Sequence, residues 1–443
     1  MSFFSKIFGG AEEVKAQPRI KFGRYSDAYK SKGQYAAWDK SLELFDEDKY
    51  MAAYESFFTY LCDVEEQNVQ WQREGDLYQF RVLQGSKVIT GTASAKKLRV
   101  ETVVAKTDAL NIGFLRRLVE LNFDLKYSRY ALDDSGNIIM VFDTYTLDGS
   151  PYKLYFAIKE LATNSDKQDD LLIDEFDMVH LSDIGILQMI PDKEKEVKYA
   201  FFKKKIGEVL EIYGSGRLSV QKYPGAFAYL FLNLSYKLDY LTKPEGFVME
   251  SLERMHRVFF TKDGKSNVYK NQTLQKEFKK LKDRPQEDFF KELYNVTSTF
   301  GITNPVNHDQ VVNFIDGELH NMDWYQENNH EEIALAIPGY VVGYCLFNYA
   351  VPKPDKDLFH LFYQIVEIDY FKALGFELDY IQEDGKLDRK AIKRAIERIE
   401  KNNEDTFPKF SPNTRLLKYG SLVSFSASYL EMMRELDLTK VMN

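Results

Sequence analysis

The stretch that decides the fold class is residues 76–94, DLYQFRVLQGSKVITGTAS, in which apolar and polar residues alternate. Alternation with a period of two predicts strands with one buried face. Gly85 and Ser86 interrupt the pattern in the middle, which is typical of a β-hairpin turn. Residues 97–106, KLRVETVVAK, predict a further strand. Consecutive strands joined by short turns predict an antiparallel sheet.

The residues that follow return to helical spacing and then to strands. Residues 109–125 place Leu110, Phe114, Leu118 and Leu121 on one helix face. Residues 126–132 and 137–146 predict two strands joined by the turn DDSGN, and a long helix is expected after Pro151. The resulting order, βββ-α-ββ-α, predicts the α+β class with an antiparallel sheet and flanking helices.

Helical patterns surround this segment. Residues 34–63 read as two short amphipathic helices, whose order of Trp38, Tyr50, Ala53 and Phe57 is similar to one tetratricopeptide repeat. A solenoid needs about three repeats, so a single helical hairpin is expected. The predicted parts are a flexible N-terminal tail at 1–25, a helical hairpin at 26–64, an α+β domain at 65–185 and a large, mainly helical domain at 186–443.

Residues 118–162 resemble the type III secretion chaperone-like fold, and within it the YbjN-type domains. The resemblance rests on a helix ending near Asn122, a strand at 127–132, a turn containing Asp134 and Gly136, and a helix after Pro151. It covers about residues 65–180. It implies a non-enzymatic protein that forms a homodimer and holds extended or partly folded segments of a client. Members of that fold are usually small, whereas this chain carries a large additional domain.

Composition and charge exclude several classes of protein. The formal net charge of −9 argues against a nonspecific nucleic-acid-binding surface, which needs clustered Lys and Arg. Cys62 and Cys345 stand in apolar surroundings without a CxxC motif, which is typical of buried thiols in a reducing compartment. Residues 334–351 carry no formal charge, but Pro338 and two glycines favour a buried helix starting near Pro338 over a transmembrane segment. We therefore expect a cytoplasmic protein.

An acidic run, TNSDKQDDLLIDEFD at residues 163–177, is a candidate partner-binding site. On a helix, Asp166, Asp170, Asp174 and Asp177 fall within about 80° of each other. A solvated helix face and a docking face for a basic partner both explain this stripe. A calcium loop would require a Gly and alternating oxygen ligands, which this run lacks.

The N-terminal sequence SFFSKIF is a second candidate. It places Phe3, Phe4, Ile7 and Phe8 on a common apolar side of a short helix. Such a face suits a membrane surface or the groove of a partner protein, and a disordered tail is the alternative.

No catalytic residue, metal ligand or cofactor is predicted. Phosphate-binding, dinucleotide-binding and nucleophile-elbow motifs are absent from the sequence. His308, Asp309, Glu318 and His320 could in principle ligate a metal, but their spacing matches no standard site. We expect a non-catalytic protein-interaction or chaperone-like module with a protein client. An enzyme with a site near His308–His320 and a peripheral membrane adaptor are the alternatives.

Overall fold

The computed structural model describes residues 17–64, 66–107, 112–175, 179–180 and 187–440, and among these it describes every side chain except those of residues 107, 114, 168–175 and 179–180. An antiparallel sheet is combined with many helices, which confirms the predicted α+β class. We call residues 66–180 the sheet unit, residues 187–440 the helical unit and residues 17–30 the N-terminal segment.

A helical hairpin follows the N-terminal segment. It consists of α1 (Lys32–Asp46) and α2 (Tyr50–Leu61). The Ser31 side chain accepts a hydrogen bond from the backbone N–H of Gln34, and the Gln34 side chain accepts one from the N–H of Ser31. This capping box starts α1 at the position that the sequence SxxQ favours.

The sheet has six strands in the order β1-β2-β3-β4-β6-β5, all antiparallel. The short β7 pairs with the end of β4. Helix α3 connects β4 to β5, and α4 follows β6. The strands and helices are β1 (Val69–Glu74), β2 (Leu77–Gln84), β3 (Lys87–Ser94), β4 (Lys97–Thr107), α3 (Ile112–Asp124), β5 (Arg129–Leu132), β6 (Ile138–Tyr145), α4 (Pro151–Glu175) and β7 (Val179–His180).

Helices α2 and α4 cover one face of this sheet. Phe57 and Phe58 of α2 and Ile158 of α4 are fully buried against strand residues such as Val82 and Ile89. The opposite face carries polar side chains at alternate positions of β2, β3 and β4, as the period of two requires. The sheet therefore has one covered face and one open face.

The helical unit is built around α6 and α12, which pack closely against each other. A Cβ on Gly343 of α12 would lie 2.6 Å from the Cβ of Tyr236 on α6. Helix α12 begins at Glu331, seven residues before the start expected at Pro338. The elements of this unit are β8 (Gln188–Met189), α5 (Asp192–Gly214), α6 (Pro224–Thr242), α7 (Gly246–Phe260), α8 (Asn267–Asp283), α9 (Gln286–Lys291), β9 (Tyr294–Asn295), β10 (Asn304–Pro305), α10 (His308–Leu319), α11 (Met322–Glu327), α12 (Glu331–Asn348), β11 (Tyr349–Ala350), α13 (Lys353–Val366), α14 (Ile368–Ala373), α15 (Arg389–Asn403) and α16 (Leu422–Arg434).

Within the described parts of the chain, no helix is both long enough and apolar enough to cross a membrane. Helix α12, which contains most of the uncharged segment, has 18 residues and is interrupted by Pro338. Its side chains are instead buried in the protein core.

The two units share a core. Phe300, which lies in the loop before β10, is buried among the residues of the sheet unit and contacts Tyr155 of α4 at 5.6 Å between ring centroids. The Gln84 side chain at the end of β2 accepts hydrogen bonds from the N–H groups of Thr299 and Phe300. The helical unit therefore contributes part of the sheet unit's hydrophobic core.

Candidate functional site

Strand β1 forms one edge of the sheet, and part of its backbone faces outward. The N–H of Leu83 donates to the carbonyl of Asn68, so hydrogen-bonded pairs with β2 recur at every second residue from Asn68. The N–H and C=O groups of Trp71 and Arg73 consequently point away from β2. Among the described residues, none bonds to these groups. An edge of this kind can accept an extended segment as an additional strand.

The opposite edge, β5, is partly covered by a side chain. Asn122 of α3 accepts a hydrogen bond from the Tyr130 N–H at 2.7 Å, and its amide nitrogen lies 3.3 Å from the Tyr130 carbonyl oxygen. Both outward backbone groups of Tyr130 are therefore satisfied within the chain, whereas the outward N–H and C=O of Leu132 bond to none of the described groups. The β5 edge is thus partly covered, and the β1 edge is open.

A shallow hollow of about 570 Å³ lies on the open face beside β1. Arg99 and Glu101 form an ion pair there at 2.7 Å, while Arg81 has no acidic partner among the described side chains. The hollow therefore offers a positive charge in a polar setting. Its lining includes Gln70, Gln72, Gln79, Arg81, Thr90, Thr92, Arg99 and Glu101.

Helix α3 presents apolar side chains to solvent. Exposed hydrophobic residues that line up on one helix face are typical of interaction surfaces. At about 100° per residue they form a stripe about 80° wide, while Leu118 and Leu121 face the sheet. The exposed residues are Ile112 (87% exposed), Leu115 (38%), Val119 (68%) and Phe123 (91%), which we call the α3 stripe.

The structure places only one member of the predicted acidic stripe in detail. Asp166 of α4 accepts a hydrogen bond from the Ser86 N–H at 2.6 Å and thereby caps the turn between β2 and β3. Asp170 and Asp174 lie in α4, but their side chains are not described, and Asp177 lies outside the described residues. Asp166 thus has a partner within the chain. Phe3, Phe4, Ile7 and Phe8 also lie outside the described residues.

The histidines of the metal hypothesis are separated. His308 is the first residue of α10 and His320 follows its last, so they lie about 18 Å apart along the helix axis. Buried His308 bonds through Nδ1 to the buried Asp355 carboxylate at 2.9 Å. Burial raises the pKa of Asp355, although His308 opposes the shift. In the described part of the chain, no three His, Cys, Asp or Glu side chains are grouped to hold a metal ion.

A cleft of about 840 Å³ lies between the N-terminal segment, α4 and α7, and charged pairs line it. Arg24 contacts Asp239 at 2.7 Å and Glu253 at 2.9 Å. Lys167 of α4 contacts Glu250 and Glu253 of α7, each at 2.7 Å. Burial alone would raise the pKa of Glu253, but Arg24 and Lys167 lower it to about 2. This network joins the sheet unit to the helical unit.

Residues 17–25, part of the predicted N-terminal tail, take part in this packing. Phe22 packs against Tyr240, His360 and Phe371, and the Gly23 N–H donates to the Tyr240 carbonyl at 2.9 Å. No periodicity marks this stretch, because it forms neither helix nor strand and its contacts are with distant residues. The α3 stripe was not among the predicted sites, although the helical spacing of Ile112, Leu115, Val119 and Phe123 was a usable signal.

A comparison with models of known protein families finds no match for this chain, and a comparison with curated proteins finds none either. The geometry of the described residues therefore carries the functional argument.

Proposed function

We propose that this protein is a non-catalytic protein-binding module whose open edge strand, β1, accepts an extended segment of a client protein. The single observation that carries the proposal is the outward-facing backbone of Trp71 and Arg73. Main-chain hydrogen bonds would supply affinity, and neighbouring side chains would supply specificity.

The contrast between the two edges supports this choice. Native proteins protect edge strands because unpaired backbone groups recruit other chains. Asn122 protects β5, whereas Trp71 and Arg73 have no comparable cover in the described structure. Because both outward residues of β1 are uncovered whereas the middle of β5 is covered, β1 is the better candidate for pairing with a partner.

The hollow beside β1 indicates which segments would fit. Side chains of an added strand alternate between the two faces of the sheet. Those on the open face would lie near Arg81, where an acidic residue is favoured by charge. Those on the covered face would lie near half-buried Trp71, whose ring is 5.8 Å from that of Phe58. We propose clients with alternating acidic and apolar residues.

The resemblance of residues 118–162 to the type III secretion chaperone-like fold agrees with this role. We propose that the sheet unit is a domain of that kind and that its clients are extended or partly folded. A cytoplasmic setting is part of the same proposal, because Cys62 and Cys345 are free thiols.

The test uses a matched pair of variants at one position of the full-length protein. Arg73→Pro removes an outward N–H without breaking the ladder to β2, whereas Arg73→Ala keeps that N–H. We expect affinity capture from lysate of the source cells, read by mass spectrometry, to recover the same proteins with wild type and Arg73→Ala. Arg73→Pro should lose them. Equal recovery by Arg73→Pro and Arg73→Ala would contradict binding at this edge.

A further inference from the structure

A groove crosses the helical unit between α5 and α12, and α6 forms its floor. Helices α5 and α12 both pack on α6. The groove encloses about 320 Å³, which lies in the range of pockets that hold small molecules, and side chains of α13 and α16 complete its lining. We call it the α6 groove. One face of α6 lines it with residues that recur at helical spacing, namely Leu230, Asn233, Leu234 and Lys237.

The walls of the α6 groove are mostly apolar. Val209 of α5 and Val366 of α13 line it and are half-buried. Two small residues of α12, Ala336 and Gly339, keep the space above α6 open. A Cβ on Gly339 would lie 2.5 Å from the Oδ1 atom of Asn233, so a larger side chain does not fit there. Such walls favour the hydrocarbon part of a ligand.

One end of the α6 groove carries positive charge. Lys237 of α6 and Lys205 of α5 contact the same buried carboxylate, that of Glu367, at 2.6 Å and 2.8 Å. Lys205 also lies 3.3 Å from Glu208, which is 3.9 Å from Lys204. In this described cluster three ammonium groups face two carboxylates, so one positive charge is uncompensated. Among the described acceptors Lys237 donates only to Glu367, which leaves two of its three N–H groups available.

The groups at this end are charged at neutral pH. Burial alone would raise the pKa of Glu367, but Lys237 and Lys205 lower it below its ordinary value. Burial alone would lower the pKa of Lys205, but Glu367 and Glu208 raise it. The Glu367 carboxylate therefore does not lose its charge to burial, and the excess positive charge beside it can attract an anion.

We propose that the α6 groove binds a small monocarboxylic acid with an apolar tail. The ligand carboxylate accepts hydrogen bonds from Lys237 and Lys205 and balances the uncompensated charge. The tail lies along α6, against the apolar walls that Val209 and Val366 provide. This inference goes beyond the proposed function, because it concerns the helical unit and not the open edge of the sheet.

The opposite end of the α6 groove leaves room for the tail. There Glu332 of α12 lies 3.2 Å from Arg217, so its charge is balanced. A second hollow of about 460 Å³ shares Glu208, Ile212 and Glu332 with the groove. A longer tail can therefore continue into this hollow. Each additional CH₂ group that leaves water should strengthen binding about fourfold.

Isothermal titration calorimetry of the full-length protein at neutral pH tests the site with three probes, namely octanoate, 1-octanol and acetate. Octanoate has both the tail and the charge, and we expect it to bind at one site per chain. The neutral 1-octanol should bind at least about tenfold more weakly, because it lacks the charged head group. Acetate lacks the tail and should give no measurable binding. Failure of octanoate to bind, or equal affinity for octanoate and 1-octanol, would overturn the inference.

A variant at the charged end tests the role of the ammonium group. Lys237→Met keeps an apolar stem and removes the charge, so it should weaken octanoate binding at least about tenfold and leave 1-octanol binding unchanged. Lys193→Met is the matched control, because Lys193 is exposed on the same helix as Lys205 and lies about 18 Å from it along the axis. It should bind octanoate as wild type does. An unchanged preference for octanoate in Lys237→Met would contradict the assignment.

A second variant tests the location of the tail. Val209→Phe fills the α6 groove from its half-buried side and should weaken the binding of octanoate and 1-octanol alike. Circular dichroism verifies that each variant is folded. Wild-type affinity of Val209→Phe for both probes would place the site elsewhere and overturn the inference. Arg73→Pro should bind octanoate as wild type does, which separates this result from the test of β1.

Discussion

Two single polar side chains, those of Asn122 and Arg24, satisfy groups that would otherwise lack a partner. Asn122 occupies the outward backbone groups of Tyr130 and covers the middle of the β5 edge. Arg24 neutralises Asp239 and Glu253, and its guanidinium also lies 4.0 Å from the ring centroid of Phe347. Residue type alone predicts neither role, because each depends on which group the side chain reaches in the folded chain.

Replacing Arg24 with Ala should destabilise the protein by about 3–5 kcal/mol, because it leaves the buried Asp239 carboxylate without its cation and removes one of the cations that contact Glu253. The matched control is Lys21→Ala. Lys21 lies three residues before Arg24 in the same segment and forms a more exposed ion pair with Glu66. That change should cost about 0–1 kcal/mol. Urea unfolding at neutral pH measures both, and equal losses would contradict a special role for Arg24.

The acid sensitivity of the protein should depend on the same contact. The pKa of Glu253 falls from 4.5 to about 2 in the folded state. A lowered carboxyl pKa stabilises the folded state above the unfolded value, and that stability is lost as the pH falls from about 4.5 toward 2. The free energy of unfolding of Arg24→Ala should therefore change less with pH in this window than that of wild type. Parallel pH profiles would contradict the assignment.

At the scale of elements, strands and helices follow local periodicity, but their ends and close contacts do not. β1 precedes the predicted hairpin as an additional strand. It was not predicted, because Val69 and Trp71 are its only apolar residues and give too short an alternation. Helix α12 starts before Pro338 and continues through it. Proline removes only one backbone hydrogen bond, and the burial of the other side chains of the helix offsets that loss. Packing therefore overrides a local signal in α12.

The close approach of α12 to α6 yields a prediction about glycines. Gly343→Ala should destabilise the protein by about 1–3 kcal/mol, because the new Cβ would lie 2.6 Å from the Cβ of Tyr236. Gly207→Ala in α5 is the control, since its new Cβ meets nothing closer than the Lys282 Nζ at 3.5 Å. It should stabilise the protein by about 0.5–1 kcal/mol through helix propensity. Thermal unfolding of both variants measures the difference, and effects of the same sign would be inconsistent with close packing.

At the scale of the whole molecule, the two units are joined by residues far apart in the chain. Gln84 and Phe300 are 216 positions apart, and Arg24 and Glu253 are 229 positions apart. Buried Phe300 fills the core of the sheet unit although it belongs to the chain segment of the helical unit. We therefore expect the two units to unfold together in the wild-type protein.

Replacing Gln84 with Ala should weaken this coupling. The change leaves the buried N–H groups of Thr299 and Phe300 without their acceptor, at a cost of about 1–3 kcal/mol for each unsatisfied group. Differential scanning calorimetry should show a lower and broader transition than in wild type. Gln79→Ala on the same strand is the control, because Gln79 lies on the open face and bonds only to Glu74 among the described side chains. An equal change in both variants would argue against the coupling.

The sequence by itself determined the α+β class, the hairpin around Gly85 and Ser86 and the helical character of the second half, because these depend on periodicity between near neighbours. The tertiary structure alone decided that Asp166 caps a turn, that Asn122 covers the middle of one sheet edge, and that residues 17–25 pack into the helical unit. Each of these contacts joins groups that no periodic pattern connects. The proposed binding edge, β1, belongs to the second kind, since a strand edge is open or covered only relative to the rest of the folded chain.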